Sequence, residues 1–198
     1  MYPLPKEPKK IKDRIRRYER GLQQEHRRFG AYDDGSGKRY LLGPLYMMVD
    51  DLPGALKSFE WFAQNFSDDI GDPMHYLCWT LALYRSGDLE AATHKLRQTM
   101  LSNLYLVPHL LGLEQAQLDI WHASNLDRKD YIEYTPPEIF ELWDEEALQW
   151  AREAYQSPTL RQVRERYIEI YRQLKTEPRG PKRSELVQEA SRLRGAER

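Results

Sequence analysis

Cysteine is nearly absent from this chain: Cys78 is the only one in 198 residues. An intramolecular disulfide and a thiolate metal cluster are therefore both excluded, and a reducing compartment is the natural setting. Long apolar runs are missing as well. The longest near-apolar windows, 40–49 and 104–113, reach about half of the ~20 residues that span a bilayer, so no membrane association is expected. The opening MYPLPKEPKK has no apolar stretch that would act as a secretory signal, and a cytoplasmic protein is expected. Valine and isoleucine are scarce, whereas Leu, Ala, Glu, Gln and Arg abound, which favours helix over sheet.

Catalytic signatures are also missing. None of the histidines, His26, His75, His94, His109 and His122, stands at metal-ligand spacing from another. Gly35-Ser36-Gly37-Lys38 lacks the upstream glycine and the following Ser/Thr of a phosphate loop. Ser102 and Ser124 have no flanking glycine elbow. Cys78 sits beside Trp79 on an apolar helix, where a thiol is inert. No cofactor and no metal are expected.

Charge of one sign is lacking overall, since the net charge is −1, but it is unevenly spread. Residues 1–40 carry twelve Lys/Arg against six Asp/Glu, 41–157 carry seven against nineteen, and 158–198 carry eleven against six. An acidic body thus lies between two basic ends. Either these are solvated helix faces of different sign, or the basic ends fold onto the body or reach an acidic partner.

What is present is a repeat. Leu42-Gly43, Tyr46, Asp51-Leu52, Ala55 and Phe59 are echoed 37 residues later by Trp79-Thr80, Leu83, Asp88-Leu89, Ala92 and Leu96. A period near ~34 residues marks stacked helix pairs. Asp51 and Asp72 are good N-caps, and Pro53 and Pro73 fall in first turns, where proline costs little. Where two helices cross closely only small residues fit, so Gly43 is expected to face Ala55 and Thr80 to face Ala92. Before the repeat, Ile11, Ile15, Tyr18 and Leu22 form one helical stripe with basic residues around it.

Residues 39–104 resemble two tetratricopeptide repeats. Leu42-Gly43, Tyr46, Ala55 and Phe59 match the family pattern; the second unit departs from it with Trp79-Thr80 and Leu96 but keeps a Gly-Asp turn and Ala92. The resemblance implies an all-α fold, a right-handed superhelix of antiparallel helix hairpins with an N-terminal basic helix and a C-terminal capping helix. The expected organisation is a flexible tail over 1–10 and one domain over 11–175. Its hairpins cover 39–66, 73–102 and 108–155, and helix 158–174 caps it. A linker and basic tail cover 176–198. The third hairpin opens on Leu110-Leu111-Gly112, but its best candidate alanine, Ala147, lies 35 residues on, against 12 in the other two. Roughly 23 residues are therefore inserted, at about 116–138, and Thr135 with Glu138 predicts a capping box around Pro136-Pro137.

By the resemblance, the family's groove maps onto Tyr40, Met47, Met48, Leu77, Tyr84, Arg85, His109 and Gln117. The groove is apolar and aromatic, without the carboxylate clamp of some family members. Its expected occupant is a peptide or helix of a partner protein, or the chain's own terminal helix. The insertion gathers Trp121, His122, Tyr131 and Tyr134, which either contact a partner or plug the end of the stack. A protein-binding scaffold is thus the first expectation. A second is nucleic-acid binding through the basic helix, Arg14, Arg16, Arg17 and Arg20. A third is a hydrolase-type site around Asp119, His122 and Glu133.

Overall fold

Local rules place most helices. In the computed structural model, which describes residues 4–32 and 34–195, the ordered elements are α1 (Pro8–Phe29), α2 (Lys38–Met47), α3 (Leu52–Asn65), α4 (Pro73–Arg85), α5 (Leu89–Ser102), α6 (Leu106–Leu110), α7 (Tyr131–Tyr134), α8 (Pro137–Phe140), α9 (Glu145–Gln156), α10 (Pro158–Thr176) and α11 (Pro181–Leu193). Among the described residues there is no strand, so the fold is all-α. Both predicted caps form, at Asp51 and Asp72, and two more appear at Asp144 and Ser157. The carboxylates of Asp51, Asp72 and Asp144 accept from backbone N–H groups in the first turns of α3, α4 and α9, and the Ser157 hydroxyl does so for α10. Each satisfies a donor that the helix start leaves open. The chain divides into two compact units, one of residues Met1–Ala92 with Pro136–Trp143, the other of Thr93–Thr135 with Asp144–Arg198.

In the first unit α2 packs against α1, α3 and α4. Its centre is aromatic. Phe59 stacks on Trp79 at 5.3 Å, and the buried His75 ring meets Phe62 at 4.6 Å and Phe59 at 5.0 Å. Gly43 is a close-approach residue: a Cβ there would stand 2.2 Å from the Phe59 ring. The stretch before the repeat is less free than its prolines predict: Leu4 is buried, α1 already begins at Pro8, and Lys6 pairs with Glu138 at 2.7 Å.

The second unit is built on α9, α10 and α11. Leu160, Tyr167, Ile170, Tyr171 and Leu174 form the buried stripe of α10, as the spacing predicts. α11 corrects an expectation. Residues 181–193 are no tail but a helix whose Leu186 and Ala190 are buried, and which packs on α10. Arg194, just beyond it, donates to the hydroxyls of Tyr167 and Tyr171. The third hairpin also takes another form. Leu110-Leu111-Gly112 ends a helix instead of opening one: α6 stops at Leu110, and Gly112 takes the left-handed conformation, φ +64°. The capping box does not form either, because the Thr135 hydroxyl is turned back onto the Tyr131 carbonyl and Glu138 is engaged by Lys6.

Candidate functional site

Three helices of the first unit enclose an open cleft of about 300 Å³. α1 contributes Glu19, Leu22 and Gln23, α2 Leu42 and Tyr46, and α3 Gly54, Lys57, Ser58 and Trp61; Tyr32 closes one end. Each element arrives there for a local reason. α1 buries Ile11, Ile15 and Leu22, which turns Glu19 and Gln23 towards the lip of the cleft. Asp51 starts α3 by accepting from Gly54 N–H at 2.9 Å. Gly54 then lets the Tyr46 ring lie against α3, since a Cβ there would stand 2.6 Å from that ring.

Tyr32, Tyr46 and Trp61 are the aromatic part of the wall. Tyr32 meets Trp61 edge-on at 5.0 Å and His26 at 4.7 Å. The Tyr46 hydroxyl donates to the Glu19 carboxylate at 2.6 Å; burial first, and this bond second, hold the phenol well above its ordinary pKa. Ser58 is 7% exposed, and its hydroxyl is buried with no hydrogen-bond partner among the described residues. A buried hydroxyl in that state has lost its water without compensation.

The rim is basic. Lys57 stands on α3, and on α1 the exposed Arg16, Arg20 and Arg27 are i±3 or i±4 neighbours of Glu19 and Gln23, hence on the same side of the helix. The four arginines expected to act together are thereby divided. Arg16 and Arg20 flank the cleft, Arg17 lies over the Tyr18 ring at 5.6 Å, and Arg14 is half-buried.

The groove expected from the repeat resemblance is largely used up by the fold. Met47 and Leu77 are sealed in the core, so they cannot line a surface. Tyr40 is tied to Asp69 at 2.7 Å, and its ring lies under Arg39 at 4.3 Å. Arg85 donates to the Leu142 carbonyl at 2.6 Å, while Met48 and Tyr84 remain half-buried. His109 and Gln117 belong to the second unit, where both are exposed and His109 borders a separate depression with Tyr105, Lys129 and Ile132.

The inserted segment is tied down at several points. Trp121 N–H donates to the Tyr171 carbonyl at 3.0 Å, its ring meets Tyr171 at 5.8 Å, and the Arg183 guanidinium lies over it at 5.0 Å. Asn103, wholly buried, donates to the carbonyls of Leu126 and Arg128 and accepts from the N–H groups of Tyr105 and Leu106. Tyr131 is buried, so of the four insertion residues only Tyr134 is largely exposed. The proposed hydrolase residues find other partners. Asp119 pairs with Lys175, the His122 Nδ1 stands 3.5 Å from Asp127, and Glu133 is exposed on α7.

Among the described residues no group of three His, Cys, Asp or Glu is placed to hold a metal ion, and no helix is long and apolar enough to cross a membrane. No protein family matches the chain, and no curated protein or solved structure is significantly similar to it.

Proposed function

We propose that this chain is an interaction scaffold on tetratricopeptide-like hairpins, and that it binds a segment of a partner protein in the cleft between α1 and α3. The cleft itself carries this reading: an open depression among three helices with Tyr32, Tyr46 and Trp61 on its wall. The repeat pattern of residues 39–104 and the packing of α2 on α3 support a scaffold role, because stacked helix pairs present surfaces. The cleft takes over from the repeat groove, whose apolar members Met47 and Leu77 are buried. A cytoplasmic setting fits the single buried thiol.

Affinity capture of partners, followed by variants of each surface, tests the assignment. Trp61→Ala should abolish capture of a specific partner, and Tyr84→Glu should leave it intact. Loss with Tyr84→Glu and Met48→Glu alone would return the site to the groove. Nucleic-acid binding is the second reading, favoured by Arg16, Arg20, Arg27 and Arg28. Salt-dependent RNA or DNA binding that disappears on deleting residues 1–28 is its signature.

A further inference from the structure

We infer that the cleft takes an acidic segment anchored by one tryptophan or tyrosine side chain; this rests on the interaction reading above and names the partner's chemistry. The volume sets the scale. About 300 Å³ lies at the low end of small-molecule sites and suits a single large side chain. Leu22, Leu42, Tyr32 and Trp61 give that side chain apolar and aromatic walls.

Polar atoms select among aromatic anchors. The Glu19 carboxylate on the cleft wall, though it accepts from Tyr46, keeps further acceptor sites. It accepts from an indole N–H or a phenol O–H. Phenylalanine brings no donor to it.

Charge selects the flanks. Lys57 lines the cleft, and the exposed Arg20 and Arg27, with Arg16 already paired to Asp13, lie on the same side of α1 as Glu19 and Gln23, so acidic flanks meet cations beside the cleft. Such rim charges mainly speed association and set its salt dependence. A nucleic acid would meet the same rim. Single-strand binding, however, needs a succession of stacking platforms, and this cleft has room for one ring and a carboxylate inside it.

The test uses the full chain and fluorescence anisotropy. The probe is a labelled, end-capped peptide with one central tryptophan and three glutamates on each side. Its comparators carry alanine or phenylalanine in place of the tryptophan, and a labelled oligouridylate stands for nucleic acid. The tryptophan peptide should bind at least ~10-fold tighter than the alanine peptide and several-fold tighter than the phenylalanine peptide. Trp61→Ala should weaken it by at least ~10-fold. Gln23→Trp fills the cleft from an exposed position without removing packing and should do the same. Arg20→Glu and Lys57→Glu should weaken binding and flatten its salt dependence. Equal binding of the tryptophan and alanine peptides overturns the proposal, as does tighter binding of oligouridylate, or no binding up to about 1 mM. If that happens while partner capture still depends on Trp61, the anchor chemistry falls and the scaffold reading stands.

Discussion

Arg39 Nε donates to the Asp69 carboxylate at 2.8 Å, and the same carboxylate accepts the Tyr40 hydroxyl at 2.7 Å. Asp69 thereby ties the start of α2 to the loop before α4. Burial alone pushes the Asp69 pKa up, but the bonds from Tyr40, Gly71 N–H and Arg39 outweigh it and hold the group below its ordinary 3.8. A carboxyl depressed on folding contributes stability that is complete above its unfolded pKa and is lost as pH falls through its folded one. Asp69→Asn should therefore lower stability at neutral pH by roughly 1–3 kcal/mol, with the gap from wild type closing below about pH 4. Urea titrations of both proteins across pH 2–7 measure it.

Gly43 has no room for a methyl group. Gly43→Ala places a Cβ where the Phe59 ring now lies, at 2.2 Å, and should cost about 1–3 kcal/mol by overpacking. Phe59→Leu in the same chain should recover part of that loss. A double-mutant cycle read by thermal melting gives the coupling, and strict additivity would contradict the contact.

Lys95 moves stability with pH in the same direction as Asp69, but in an alkaline window. Burial lowers its ammonium pKa from 10.5 to about 8. Between those values the unfolded chain binds more protons than the folded one, so wild-type stability should rise with pH in that window. The slope contributed is at most about 1.4 kcal/mol per pH unit. Lys95→Met should remove this component, so that the variant's stability changes less across the same window. Denaturant titrations at pH 7, 8.5 and 10 compare the two.

Trp121 anchors the inserted segment onto α10 and beneath Arg183. Trp121→Ala should cost roughly 0.5–1.5 kcal/mol beyond the lost burial and accelerate proteolysis within 112–124. Limited digestion with peptide mapping reads it. Unchanged cleavage would show that Asn103 holds the segment alone.

The sequence was most informative where local chemistry acts alone. Asp51 and Asp72 mark helix starts that form, because a cap needs only the next turn of backbone. The third hairpin was misread because Leu-Gly has two uses. In Leu42-Gly43 the glycine admits a ring, whereas in Leu111-Gly112 it ends a helix, and only the packed neighbour tells them apart. α11 was underrated because its stability comes from packing Leu186 and Ala190 on α10 and from Arg194 on Tyr167 and Tyr171, which its local sequence does not display. The cleft was invisible for a similar reason. Glu19, Tyr46 and Trp61 lie on three helices and share no motif, and the one early trace was the basic helix that became its rim.

Cys78, wholly buried on α4, has its thiol pKa raised by burial and by the nearby Asp72 carboxylate. The folded first unit should thus be silent to thiol reagents, and labelling should proceed only when α4 opens. The rate at which the intact protein takes up a single maleimide is then a direct clock for that opening. Because there is only one thiol, no background substitution is needed, and a cleft ligand that steadies the first unit should slow the clock.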